Sequence, residues 1–219
     1  MLSENKYTFS DKNYPGLSMQ PIDTQVKNRI FGSGRGSLFT PTDFIDLGTR
    51  YAVDKALSRL AAGGTLRRLA RGLYDYPKMH PVLGPLLPTP DAVAQAFAQR
   101  DAVRLQPAGA YAANLLGLSE QVPAKIVFLT NGPSRRVKVG SMQITLRRTT
   151  PRNVATAGRL SGLLIHAFRH LGKTNITPSH IKHLRRTLPQ AKRKELLRDL
   201  RYAPEWMHSA FRELASDEG

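Results

Sequence analysis

The chain contains no cysteine. That removes disulfides and thiolate metal ligands, and it fits a reducing, cytoplasmic setting. Acid is also scarce, with 16 Asp/Glu against 33 Lys/Arg. A metal-dependent nuclease needs clustered carboxylates to hold its ion, and here no acidic residues pair at a catalytic spacing with a nearby histidine. The H-E-x-x-H, G-x-S-x-G and P-loop patterns are absent. Glu120 with Lys125 is too little to build a site on. An enzyme is therefore not expected, nor is a cofactor. No apolar run approaches the ~20 residues that a membrane span needs, and no N-terminal pattern of charge, apolar run and small-residue cleavage site appears.

Positive charge is what the chain has in excess. The 219 residues carry a formal net charge of +17, with a pI near 10.7. Such a surplus repels itself and attracts polyanions, so DNA, RNA or an anionic surface are the partner classes to weigh. The membrane is set aside for want of a span or anchor. At 41% hydrophobic residues the chain can bury one large core or two small ones.

The stretch from Thr40 to Pro77 organises the reading. Thr40, Pro41 and Asp43 mark a helix start by cap, first-turn proline and dipole-favoured carboxylate. Gly48 breaks that helix and Thr49 caps the next. Val53, Ala56, Leu57 and Leu60 then recur at helical spacing on one apolar stripe. The opposite face carries Arg50, Tyr51, Lys55, Ser58 and Arg59. Gly63 and Gly64 end the helix, and Leu66–Leu69 and Leu73–Tyr76 suit two strands around Arg71-Gly72. This predicts a winged helix-turn-helix. Its second helix, residues 49–62, enters a major groove with Thr49, Arg50, Tyr51, Lys55, Ser58 and Arg59, and its wing sets Arg67, Arg68 and Arg71 on phosphates. A helix pair plus hairpin in an ordinary core, with merely solvated arginines, is the plainer alternative.

The expected organisation is α+β. Residues 1–19 read as a flexible polar tail, with Met19 a second candidate start. Residues 20–80 form the winged-helix domain, opened by a helix from Pro21 to Phe31. The Gly32–Gly36 run follows a helix rather than a strand, so it reads as a turn and not a phosphate loop. Residues 81–90, rich in proline, read as a semi-rigid linker. Residues 91–219 form a mixed C-terminal domain with a hairpin sheet over 124–149 and a helical bundle over 155–216. In that sheet Met142, Ile144 and Leu146 alternate with Gln143, Thr145 and Arg147, giving one apolar face. In the bundle, helices are predicted over Arg159–Leu171, from Thr177-Pro178, over Gln190–Arg201 and after Pro204.

Most of the surplus charge lies behind the proline-rich segment: 21 Lys/Arg against 9 Asp/Glu from Leu86 onward. Four clusters stand out: Arg135, Arg136 and Lys138; Arg147, Arg148 and Arg152; Lys182, Arg185 and Arg186; Lys192, Arg193 and Lys194. They predict a second polyanion contact. His166 with His170, and His180 with His183, have helical spacing that suits zinc. Yet Arg169, Lys173, Lys182, Arg185 and Arg186 surround them and no carboxylate is placed to orient the rings, so no metal is expected.

A long motif carries a family resemblance. It runs Pro107-Ala108-Gly109-Ala110, then Asn114-Leu115-Leu116-Gly117-Leu118-Ser119-Glu120-Gln121-Val122-Pro123. It continues through Phe128-Leu129-Thr130-Asn131-Gly132-Pro133-Ser134-Arg135 to Pro151-Arg152-Asn153. This resembles the AbiEi-like antitoxins of abortive-infection and type IV toxin–antitoxin systems, whose pattern here is P-S-G-x-x-A-x-N-x-L-G-L-S-T-Q-V-P. Ala108 replaces the family's Ser and Glu120 its Thr. The Arg71-Gly72-Leu73-Tyr74 hairpin is similar to the family's wing. The resemblance implies a cytoplasmic, nucleoid-bound bacterial repressor that binds double-stranded operator DNA at inverted repeats upstream of its own operon. It also implies a C-terminal antitoxin domain and a functional partner in a nucleotidyltransferase-like toxin. An RNA-binding module that masks tRNA from such a toxin, or a direct toxin inhibitor, is the alternative for the basic C-terminal half.

Overall fold

Threonine side chains start three helices of this chain. Thr49 accepts from the Ala52 amide at 3.3 Å, Thr89 from Ala92 at 3.2 Å and Thr177 from His180 at 3.4 Å. Each satisfies an amide that has no partner inside its helix. Proline occupies the first helical position after Thr89 and Thr177, where its missing N–H is not needed. The computed structural model describes residues 21–216, and the fold is α+β. The expected tail over 1–19, with Met19, lies outside the described residues.

The N-terminal unit packs helix α1 (Ile22–Ser33) against α2 (Arg50–Ala62). Between them the segment expected as a short helix is a four-residue 3-10 turn, Pro41–Phe44. The Asp43→Thr40, Ile45→Thr42 and Leu47→Phe44 backbone bonds all span three residues, and so short a piece cannot sustain an α-helical ladder. The turn is fixed by the Thr40 amide donating to Asp43 Oδ2 at 2.6 Å. Arg29 of α1 forks onto both oxygens of Asp46 at 2.6 Å and reaches the Asp43 carbonyl at 2.7 Å, which sets the approach to α2. Strands β1 (Leu38–Phe39), β2 (Arg67–Ala70) and β3 (Leu73–Asp75) form an antiparallel sheet in the order β1-β3-β2. Val26, Ile30, Phe39, Phe44, Val53, Ala56, Leu57, Leu66 and Tyr74 make the core of this unit.

The proline-rich segment is not a spacer. It holds a small hairpin of β4 (Met79–His80) and β5 (Gly84–Pro85). His80 Nδ1 accepts from the Val82 and Leu83 amides, closing a turn that the prolines on either side already favour. The Leu86 carbonyl then accepts from Arg67 of β2 at 2.7 Å, so the segment is fastened to the N-terminal sheet.

Beyond it, α3 (Pro90–Asp101) lies against a sheet of β6 (Leu105–Ala108), β7 (Lys125–Thr130), β8 (Arg135–Val139) and β9 (Met142–Arg148). The order is β6-β7-β9-β8, with β7 and β9 parallel and the other pairs antiparallel. Val93, Ala94 and Phe97 of α3 pack on Ile126, Phe128, Val137, Ile144 and Leu146. Leu73 of the N-terminal hairpin is buried in the same cluster, with Leu38, Leu69 and Ala70 packed against it. The boundary expected at 81–90 therefore does not separate two cores, since the first sheet contributes apolar side chains to the second. Asp91, at the start of α3, accepts from the Tyr111 hydroxyl. Burial first, then that carboxylate, holds the phenol well above its ordinary pKa.

The C-terminal helices α4 (Gly109–Leu115), α5 (Leu160–Leu171), α6 (Pro178–Thr187), α7 (Gln190–Lys194) and α8 (His208–Ala215) enclose a third core around Leu164, Phe168, Leu184, Leu196, Met207 and Phe211. The helix predicted over 190–201 changes character at Glu195, and residues Glu195–Tyr202 are 3-10. Within it, buried Asp199 accepts from Ser161 Oγ at 2.5 Å and from Arg159 at 2.8 Å, which ties the segment to the start of α5.

Candidate nucleic-acid interface

Helix α2 presents a polar face because its apolar stripe is used inside. Val53, Ala56 and Leu57 are buried, while Arg50, Tyr51, Lys55, Ser58 and Arg59 are exposed. Tyr51 keeps 68% of its surface, with Lys55 Nζ 4.5 Å from its ring centre. Arg50 pairs with Asp54 at 3.1 Å and Arg59 with Asp23 of α1 at 2.6 Å. Both pairs are open to water, so each is worth ~0–1 kcal/mol and exchanges readily for another anion. Thr49 is committed to its capping bond and holds the end of the helix in place.

The β2–β3 hairpin divides its arginines. Arg68 and Arg71 are exposed. Arg67, expected beside them on phosphate, instead turns inward. Its Nε and Nη2 donate to the two oxygens of Asp75 at 3.1 and 2.5 Å, and Nη2 also donates to the Leu86 carbonyl. Asp75 is 2% exposed, and a carboxylate so deep requires a counter-charge. Arg67 is thereby withdrawn from the free cations of the hairpin.

One of the four basic clusters meets arginines from α2, the hairpin turn and α3. Arg50 at the start of α2, Arg71 at the hairpin turn, Arg100 at the end of α3, and Arg135 and Arg136 of β8 line a cleft of about 430 Å³ with Ala70, Gly72, Phe97 and Val137. β8 is an edge strand whose residues alternate, so Val137 and Val139 face the core while Arg136 and Lys138 face water. Arg135 shares the inward phase and stacks on Phe97 at 4.7 Å, with Arg100 at 4.8 Å from the same ring. Asp101 pairs with both of these arginines, at 2.8 and 3.1 Å.

The remaining clusters have separate surroundings. Arg147 lines a second cleft with Asn153, His166, Arg169 and His170, and Arg148 is exposed next to it in sequence. Arg152 donates to the Arg201 carbonyl at 3.3 Å. Lys182 and Arg186 are exposed on α6, with Arg185 half-buried. On α7, Lys192 lies 3.9 Å from Glu195 and Arg193 turns in to the Leu214 carbonyl at 2.9 Å, while Lys194 is exposed.

Residues 25–196 match the model of a family of unknown function, DUF6088. The chain belongs to this family. The matched span runs from α1 into the 3-10 segment after α7. Among solved structures, the RV2827C protein from Mycobacterium tuberculosis is similar at 15% identity and a TM-score of 0.45, over 89% of this chain and 83% of that one. No curated protein matches.

Three histidines of this DUF6088 chain pair with backbone groups. His166 Nε2 lies 3.1 Å from the Asn153 carbonyl and His183 Nε2 3.2 Å from the Leu116 carbonyl, while His180 Nδ1 accepts from the Thr177 amide. Among the described residues no group of three or more His, Asp or Glu converges to hold a metal. His166 is buried, and its pKa is held below the ordinary imidazole value of 6.5. Burial is the main cause, with Arg169 and Arg147 adding to it and the Asn153 carbonyl opposing. The unfolded chain therefore binds the proton first as pH falls. Stability drops as pH goes below about 6.5 and levels off once the folded-state pKa is passed. His166→Gln is expected to flatten that slope, read as the difference in urea midpoint between wild type and variant from about pH 7.5 to about pH 5.

Sequence reading missed Arg100, Asp101, Phe97 and Asp75. An arginine in the last turn of an amphipathic helix is what the helix dipole favours, so Arg100 carried no separate signal. Asp75, an acid in the middle of an otherwise apolar hairpin strand, was the one legible hint that a neighbouring arginine is committed.

Proposed function

We propose that this chain is a sequence-specific DNA-binding repressor of the AbiEi-like antitoxin type. In this reading the N-terminal unit is a winged helix-turn-helix, with α2 in the major groove and the β2–β3 hairpin as its wing. The observation that carries it is the outer face of α2. Five polar side chains, three of them cationic, stand exposed on a helix whose other face is anchored in a core. Arginine pairs bidentately with guanine in that groove. Arg68 and Arg71 supply wing contacts to phosphate, and the chain's surplus charge provides the non-specific attraction that brings a duplex in. The operator is expected to be an inverted repeat upstream of its own operon, and the functional counterpart a nucleotidyltransferase-like toxin.

The test separates base readout from phosphate contact. Arg59→Ala or Arg50→Ala is expected to relax preference at one operator position by ~1–3 kcal/mol. Arg68→Ala is expected to weaken all duplexes alike and to lower the salt slope by about one. Affinity and specificity unchanged in all three would end the docking scheme. Stronger binding to tRNA than to operator duplex in direct competition would replace this reading with RNA masking. A stable stoichiometric complex with the toxin would argue for direct inhibition.

A further inference from the structure

We propose that the arginine cleft between the β2–β3 turn, the start of α2 and the edge strand β8 is a phosphate-binding site. Five guanidinium groups line it. The carboxylates paired with them are Asp54 on Arg50 and Asp101, shared between Arg100 and Arg135. Among the described residues Arg71 and Arg136 have no acidic partner. The five cations thus face two anions, in a cleft partly walled by a phenyl ring that weakens solvent screening.

Two further features point to an occupant. Arg135 Nη1 is removed from solvent and has no hydrogen-bond partner among the described residues. A charged donor in that condition calls for an acceptor. Arg100 and Arg135 are also held beside one another on the Phe97 ring with Asp101 fixing both. Two like charges are therefore pre-positioned, and an anion between them and Arg71 and Arg136 relieves their repulsion. A planar fork presents two parallel N–H donors, and a tetrahedral phosphate accepts from several forks at once. A single carboxylate, with two oxygens in one plane, satisfies fewer of them.

The cleft spans the N-terminal hairpin and the C-terminal sheet, and Arg50 at its rim also begins the outer face of α2. A phosphate there has two sources: a DNA phosphodiester flanking the groove that α2 would read, or a free phosphorylated small molecule. The DNA source rests on the function proposed above, whereas the site itself does not.

The experiment uses the full chain and two probes, inorganic pyrophosphate and a labelled duplex of random sequence. The variants are Arg71→Gln/Arg136→Gln and a charge-matched control, Lys125→Gln/Lys173→Gln. Pyrophosphate at matched ionic strength is expected to raise the melting temperature of wild type and control saturably, with affinity about tenfold or more weaker in the arginine variant. The duplex salt slope is expected to fall by about one more in the arginine variant than in the control. Both effects together assign the site to a DNA phosphate. The pyrophosphate effect without the slope change assigns it to a free phosphorylated ligand, and it stands even where wild type binds no DNA at all. The slope change alone is what the Arg71 wing contact already predicts, so it overturns the cleft site and leaves only that contact. If pyrophosphate acts no differently from chloride and the two double variants bind duplex alike, the proposal is overturned.

Discussion

Arg67→Ala is expected to lower stability by about 2–4 kcal/mol, although the residue lies on an exposed-looking basic hairpin. Asp75 is nearly inaccessible and takes both oxygens' bonds from Arg67. Truncation leaves that carboxylate buried without a counter-charge, a loss of ~3–5 kcal/mol in a fully enclosed pair. The Arg67 side chain retains 29% exposure, so water reaches the vacated space and trims the figure. The Leu86 carbonyl loses its donor at the same time, which loosens the proline-rich segment. Arg68→Ala, one residue along and exposed, should stay within about 0.5 kcal/mol. Urea midpoints of the two variants decide the matter. The double variant Arg67→Met/Asp75→Leu should recover most of the loss, because a buried pair replaced by apolar side chains of similar size is often neutral. Equal stability of Arg67→Ala and Arg68→Ala, with equal loss of DNA affinity, would return Arg67 to the interface.

That contrast shows where the sequence was readable. Local chemistry was: Thr49, Thr89 and Thr177 cap the helices that follow them, and the period-two run through Ile144 and Leu146 lies in a strand. These signals are complete within a few residues, so tertiary packing had no need to override them. The exposed face of α2 was legible for the same reason, since a stripe at 3.6-residue spacing fixes both its faces. Long-range pairing was not legible. Strand β6 is Leu105-Gln106-Pro107-Ala108, a poor strand by composition, and it exists because it pairs with β7 at the sheet edge, where proline is tolerated. The gathering of Arg50, Arg71, Arg100, Arg135 and Arg136 depends on Leu73 joining the core behind β8. No pattern in either segment alone announces that contact.

The shared core also bears on how the two halves work. Two domains on a flexible linker would bind DNA independently, each with its own salt dependence. Here the hairpin strand β3 is buried against α3 and the large sheet through Leu73, and Arg67 anchors the segment between them. A phosphate bound in the cleft therefore touches elements of both halves without ordering a linker first, so less entropy opposes binding. In the proposed DNA complex the C-terminal sheet would add affinity at a fixed distance from α2, rather than at whatever distance a tether allows.

Gly162→Ala is expected to destabilise the chain by about 2–3 kcal/mol, against the intrinsic preference of its helix. Gly162 is the third residue of α5, where alanine in isolation gains about 1 kcal/mol over glycine. Space decides otherwise. A Cβ at this position meets Gln106 Oε1 at 2.3 Å, the Thr156 carbonyl at 2.5 Å and Thr156 Oγ1 at 2.9 Å. Gln106 and Thr156 are themselves buried, and the Thr156 carbonyl is held by the Arg159 amide at 3.0 Å, so backbone must move. Overpacking costs ~1–3 kcal/mol and occasionally more; contacts this short, one of them to held backbone, put the site at about 3–4 kcal/mol, and subtracting the ~1 kcal/mol helix-propensity gain leaves about 2–3 kcal/mol. Gly72→Ala is the comparison. Gly72 sits at φ +69° with its nearest neighbour at 3.6 Å, so it carries left-handed strain of about 1–2 kcal/mol and no clash. Thermal melts should therefore rank Gly162→Ala below Gly72→Ala. A second readout follows from what α5 supports. Displacing it from the Thr156 turn separates His166 from Asn153, whose carbonyl and side chain hold His166 and Arg169. The imidazole then gains water and loses the carbonyl that opposed its depression; burial is the larger of the two causes, so the fall in stability below about pH 6.5 becomes shallower in Gly162→Ala than in wild type. A melting temperature at or above that of Gly72→Ala, with the pH slope unchanged, would show that α5 accommodates the methyl group without moving.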